Sequence, residues 1–145
     1  MKASILSFMF FMAALLASHH SFGQQAREIV ATQISYINRV FNSKGFYRTH
    51  NIKYASLYDD QSDFYTFNLD RATDYEIFAV CDGDCGDIDL WLYDESGNLI
   101  DSDQKKDDLP VVVVTPSWTG KFRLKVKMYD CRIEPCVFGI GVYGR

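Results

Sequence analysis

Between Cys81 and Asp89, "CDGDCGDID", two cysteines and four aspartates fall within nine residues, a dense cluster of groups able to ligate a metal, exchange thiols or move a proton. Asp82, Asp84, Asp87 and Asp89, with Gly83 and Gly86 between them, set carboxylates at alternating positions of a tight loop. Calcium takes about six to eight oxygens, and such a loop can supply several. These four aspartates are therefore the candidate calcium ligands, with Asp130 and Glu134 able to add to them if their loop lies at the same end of the fold. The pattern is not an EF-hand, because the twelfth position counted from Asp82 is Tyr93 rather than a bidentate glutamate. The competing reading is that Asp and Gly populate β-turns through local hydrogen bonds, with no ion at all.

The cysteines form two tight clusters, Cys81/Cys85 and Cys131/Cys136. Thiol exchange favours Cys-x-x-Cys at a helix start, where the thiol pKa falls. Here three residues intervene and carboxylates crowd the thiols, which raises it. Zinc would need these same thiols in spacings it rarely uses, with no histidine nearby. Structural disulfides are the expectation for an exported chain. Local pairs, Cys81–Cys85 and Cys131–Cys136, are favoured because such short loops bring Cα atoms within the ~4.4–6.8 Å a disulfide spans. Crossed pairing stays open, since counting strands up and down puts both loops at one end.

Catalysis has little to work with. His50 is the only histidine beyond the N-terminal leader, and it sits in "YRTHNIKY" with no nucleophile-elbow pattern. No phosphate-binding glycine loop or zincin motif occurs. A carboxylic general acid needs an apolar pocket, whereas these aspartates lie in glycine-rich turns. No catalytic and no cofactor-binding residue is assigned, and a small secreted hydrolase built on His50 is only the alternative. A binding surface is better supported. Trp91 and Tyr93 share a face of one strand with Asp89 and make a candidate ligand platform for sugar or peptide. The row Lys121, Arg123, Lys125 and Lys127 can grip an anionic polymer or simply be solvated.

The elements that must position these groups are legible in outline. Lys2, the apolar run Ile5–Ala17 and small residues before Gln24 make a secretory signal peptide over residues 1–23, cut near Gly23-Gln24. About 13 apolar residues fall short of the ~20 that span a bilayer, and no later run is longer, so no membrane span is expected in the mature chain. The product is secreted or periplasmic. Next, Val30, Ile34, Ile37 and Phe41 mark one face of an amphipathic helix within residues 24–46, stopped by Gly45. A lone helix of this length needs a partner surface, and the expected one is the Trp91/Tyr93 face. From Ile52 the period is two. Alternating runs around Tyr65–Leu69, Tyr75–Val80, Ile88–Tyr93, Phe122–Met128 and Phe138–Val142 are separated by Asp-, Gly- and Pro-rich turns. Val111–Val114 reads as a strand buried on both faces. Residues 47–145 are thus a β-sandwich of seven to eight strands. Charge agrees with this class of protein: the chain carries −4, with sixteen acids between residues 59 and 108, which excludes a nucleic-acid binder.

Four segments resemble, in order, the bacterial pre-peptidase C-terminal (PPC) domain family: "DFYTFNL" (63–69), "YEIFAV" (75–80), "GDIDLWLYDESGNLIDSD" (86–103) and "WTGKFRLKVKMY" (118–129). The resemblance covers roughly residues 52–143, is most specific over Asp87–Asn98, and leaves out the helix. It implies an all-β, jelly-roll-like antiparallel sandwich. It also implies an accessory role beside an exported enzyme, with collagen, polysaccharide or calcium bound by some relatives. Two features depart from the family: no catalytic domain accompanies this sequence, and it carries two cysteine pairs. The expectation is a non-catalytic binding or structural module whose partner is an extracytoplasmic protein or polysaccharide, with calcium-dependent adhesion as the alternative.

Overall fold

A computed structural model describes residues 22–145. The leader therefore lies outside the described residues except for Phe22 and Gly23, which open the helix α1 (Phe22–Ser43). Nine strands follow: β1 (Tyr47–Arg48), β2 (Lys53–Leu57), β3 (Ser62–Leu69), β4 (Tyr75–Cys81), β5 (Cys85–Tyr93), β6 (Leu99–Asp103), β7 (Val111–Val114), β8 (Gly120–Cys131) and β9 (Cys136–Gly144). They form two antiparallel sheets. The first has the order β1-β9-β4-β7, with β2 also paired to β9, and the second has the order β3-β8-β5-β6.

The two sheets close on a core supplied by alternate residues of both inner faces, as a sandwich requires. Ile77 and Ala79 of β4, Ile88, Leu90 and Leu92 of β5, Phe122, Leu124, Val126 and Met128 of β8, and Phe138, Ile140 and Val142 of β9 are buried there. A second apolar cluster lies on the outside of the first sheet, where Val30, Ile34, Ile37 and Phe41 of α1 pack on Phe78, Val80 and Tyr143. Phe41 stacks on Tyr143 at 5.0 Å and on Phe78 at 5.5 Å between ring centroids. Gly139 lets the helix approach: a Cβ there would lie 2.6 Å from Ile34 Cδ1 and 3.0 Å from Val30 Cγ1. Tyr143 completes the dock by donating from its hydroxyl to Asn38 Oδ1 (3.0 Å).

The helix stop is a Schellman motif. Phe46 N–H donates to Phe41 O and Gly45 N–H to Asn42 O, with Gly45 at φ 82° in the left-handed region. Phe46 then returns edge-on to Phe41.

Two expectations change here. The helix covers the first sheet, so it does not cover Trp91 and Tyr93, which lie on the outer face of the second. The physical reason is supply of apolar area: Phe78, Val80 and Tyr143 point outward beside small glycines, whereas the outward residues of β8 are basic. Secondly, β7 is an edge strand and not a strand buried on both faces, with Val113 half exposed (53%).

Candidate functional site

The two cysteine loops do meet at one end of the sandwich. Cys85 pairs with Cys131 across β5 and β8. Arg132 N–H donates to Asp84 O (2.9 Å) and the Arg132 guanidinium to Gly83 O (2.6 Å). Within this arrangement Cys81 is bonded to Cys85 and Cys131 to Cys136, each with Cα atoms 5.9 Å apart. Among the described residues no cysteine is free.

The four candidate calcium ligands separate into two pairs. Asp82 is an organiser of the loop: its Oδ1 accepts Asp84 N–H (3.1 Å), and its Oδ2 accepts Val137 N–H (2.6 Å). Both of its oxygens are therefore engaged, and Asp84 beside it is only half-buried. Asp87 and Asp89 differ. Their side chains point to the outer face of the second sheet, yet they are 7% and 6% exposed. One oxygen of each, Oδ1, is buried without any hydrogen-bond partner. Burial raises both carboxyl pKa values above the ordinary range; for Asp89, the charge of Asp87 adds to the effect. Asp103, Asp107 and Asp130 are the other acids near this pair, with Lys106 and Lys127 opposing them. Among the described residues no three acids, histidines or cysteines converge as a ready metal cage. Of the two added acids, Glu134 is engaged in holding Asp59 N–H (3.1 Å).

The open face of the second sheet carries the rest of the candidate residues. Register places them in cross-strand rows: Phe64, Lys125, Trp91 and Ser102 in one, Thr66, Arg123 and Tyr93 in the next, and Ser62, Lys127 and Asp89 on the other side. Cations lie over aromatic rings throughout. The Arg123 guanidinium is 4.5 Å from the Phe64 centroid, Lys125 Nζ is 4.8 Å from Trp91, and Lys127 Nζ is 4.6 Å from Tyr129. Trp91 and Tyr93 are half-buried on a face that has no helix over it, while Phe64 and Tyr129 are exposed. Strand periodicity could reveal the basic row and the two rings of β5. It could not reveal Phe64, whose place in the row depends on pairing β3 with β8.

His50 has a structural task. Its Nε2–H donates to Asn68 O (3.0 Å), and its Nδ1 lies 2.8 Å from the Thr49 hydroxyl, which also donates to Val142 O (3.2 Å). Its ring sits edge-on to Phe67. No carboxylate backs the imidazole in these contacts.

No family model matches the sequence, and no match is found among curated proteins. Solved structures do match. The pre-peptidase C-terminal domain of a Bacillus anthracis collagenase aligns over 63% of this chain and 87% of its own, at 23% identity and a TM-score of 0.51. This chain has the PPC fold. Two further structures align at lower TM-scores. A Sulfurospirillum deleyianum protein reaches 0.45 at 8% identity, over 67% of this chain and 99% of its own. Accessory secretory protein 1, 2 and 3 of Streptococcus pneumoniae reaches 0.36 at 11% identity, over 69% and 76%. The PPC-like sandwich accounts for the strand β5 and the Asp94–Asn98 turn as scaffold. In that turn Asp94 accepts both Asn98 N–H and Asn98 Nδ2–H at 2.8 Å.

Proposed function

We propose that this protein is an exported, non-catalytic binding module that holds an acidic polysaccharide on the outer face of its second sheet. Two disulfides and a PPC-like fold support a location outside the cytoplasm. The observation that carries the binding reading is the uncovered row Lys121, Arg123, Lys125 and Lys127, set beside aromatic rings. Side chains on one face of a strand recur about every 6.6–6.8 Å, so the row presents a regular ladder of charge. Rings beneath the cations limit their rotamers and lower the entropy lost when a ligand binds. An extended anionic chain suits such a ladder better than a compact solute does. The test is affinity electrophoresis with polygalacturonate and with neutral dextran. Retardation by the acidic polymer alone is expected, with about a tenfold or greater loss in the Arg123→Ala/Lys125→Ala double variant. Equal migration of wild type and variant would overturn the reading.

The second reading, a calcium-dependent module, is favoured by the orphaned oxygens of Asp87 and Asp89. These two residues would hold the ion. Its charge would offset the cost of burying two carboxylates together. A ligand of the native state must raise the melting temperature, so a melt in calcium that matches the melt in chelator would remove this reading.

A further inference from the structure

The two open sides of the sandwich are treated differently. On one side the edge strand β7 is capped: Val111 N–H donates to Asp103 Oδ2 (3.1 Å) and Val113 N–H to Asp101 Oδ2 (2.8 Å). Those carboxylates come from β6 of the opposite sheet, so this side is closed to further strands. The other side ends in β3, eight residues long. Met128 N–H donates to Gln61 O, and His50 reaches Asn68 O from outside. With the β3–β8 register, these two bonds assign direction along the strand. Odd-numbered residues bond to β8, while Ser62, Phe64, Thr66 and Asn68 turn their N–H and C=O groups to the free edge. An open cleft of about 570 Å³ runs along it, between residues 50–53 and residues 64–67. Among the described residues two of its groups are occupied: Asn68 O by His50, reaching from a separate segment, and Phe64 N–H by the adjacent Asp63 Oδ1 (2.7 Å), an exposed local cap that a pairing strand must displace.

We propose that β3 is a self-association edge, and that a second copy of this chain pairs with it antiparallel about a two-fold axis at Phe64. His50 fixes the register, because its imidazole fills the place a partner strand would take at Asn68. Pairing is thereby confined to the residues before it. Run antiparallel on itself about Phe64, the stretch Ser62–Thr66 is complementary at every position. Phe64 meets Phe64 of the other copy and Thr66 meets Ser62 on the outer face, an aromatic pair and a hydroxyl pair of the kinds that stabilise sheets. Asp63 meets Tyr65 on the inner face, the same two side chains that lie together within one copy. No like charges oppose one another. Phe64, left 46% exposed by a single chain, is covered. The product is a continuous eight-stranded sheet with both basic rows on one surface, three strand spacings or about 14 Å apart. Two rows on one rigid surface give an extended polymer two attachment points.

Sedimentation velocity of the oxidised, leader-free chain over several decades of concentration tests this. Wild type is expected to pass from monomer to dimer. Thr66→Pro removes an N–H that the ladder to β8 does not use, and proline is tolerated at such an edge position. Two hydrogen bonds are lost across the axis, so the dimer should weaken about tenfold or more. If far-UV dichroism shows that variant unfolded, Phe64→Lys serves instead, opposing two ammonium groups at an exposed site. The register has its own readout. Cα atoms across an antiparallel hydrogen-bonded pair are about 5.5 Å apart, within disulfide reach. Phe64→Cys is therefore expected to crosslink two copies, and Asn68→Cys is not. A wild type that stays monomeric throughout, a folded Thr66→Pro chain that dimerises as wild type does, or crosslinking through Asn68→Cys in place of Phe64→Cys would overturn the proposal.

Discussion

Replacing Asp89 by asparagine should make this protein more stable at neutral pH. Asp89 is 6% exposed, and its Oδ1 has no partner. Asp87 beside it shares both features, so two carboxylates are buried without full compensation. A buried polar group left unsatisfied costs about 1–3 kcal/mol, and more when charged. Asparagine keeps the shape and removes the charge. A gain of about 1–3 kcal/mol follows. For a domain of this size each kcal/mol moves the melting temperature by about 3–5 °C.

The pH dependence gives the decisive signature. Burial raises the folded-state pKa of Asp89 above its ordinary value. The native state therefore holds this proton more tightly than the unfolded chain does, and its contribution to stability is fully present below about pH 3.8. As pH rises through the raised value that contribution is lost, and the curve is then flat. The difference between variant and wild type should be absent in acid and complete at neutral pH. Differential scanning calorimetry in chelator from acid to neutral pH measures it. A variant less stable than wild type at neutral pH, or a gain that does not change with pH, would refute the reasoning. Repeating the melts in calcium separates proton from cation. If Asp87 and Asp89 hold the ion, calcium stabilises wild type and loses that effect in Asp89→Asn.

Three further outcomes test the rest of the framework. Phe41→Ala removes the ring that links α1 to Phe78 and Tyr143, and urea unfolding should show a loss of about 3–5 kcal/mol. The native tryptophan emission, from Trp91 on the opposite outer face and from Trp118 stacked on Phe122, should not move. Gly141→Ala places a Cβ 2.6 Å from the Phe78 ring and 3.0 Å from Tyr143; both are fully buried, so overpacking of about 1–3 kcal/mol is expected in the same assay. Asp94→Asn weakens a carboxylate that Asn98 hydrogen bonds hold below the ordinary pKa. Its contribution is present above about pH 3.8 and lost as pH falls through the depressed folded value, so thermal melts of variant and wild type should converge in strong acid.

Period-two alternation was enough to read β3, β4, β5, β8 and β9, because each buries one face against the opposite sheet. It failed for β6, whose residues Leu99–Asp103 are largely polar and are held in place by pairing with β5. The run Val111–Val114 misled for a related reason. Its outer side is covered only at Val111, by the cluster under the helix, while Val113 stays exposed, and only the long-range order of strands makes it an edge. Placement of the helix was in principle visible. Ile77-Phe78-Ala79-Val80 is apolar on both faces, and Gly139 and Gly141 alternate along β9, which together mark a sheet that something must cover. The aspartates show where local reading ends. Asp82 and Asp84 behave as the turn chemistry of their loop dictates, but the burial of Asp87 and Asp89 depends on strands contributed from elsewhere in the chain.

Once α1 lies on the first sheet, that sheet has no outer face left to offer across β4 and β9. The side closed by Asp101 and Asp103 offers no backbone donors at Val111 and Val113. Binding capacity is thereby concentrated on the second sheet and its β3 edge, and every ring-supported cation of β8 lies there. The same geometry explains why the acidic pair matters to that face. Asp89 shares a row with Lys127, which is itself drawn to Asp60 at 2.8 Å. A proton or a cation at Asp87 and Asp89 would therefore remove negative charge from the margin of the basic ladder. Binding of an acidic polymer should strengthen under the conditions that raise the melting temperature of the wild type, and an affinity that falls as acid or calcium stabilises the protein would separate the two sites.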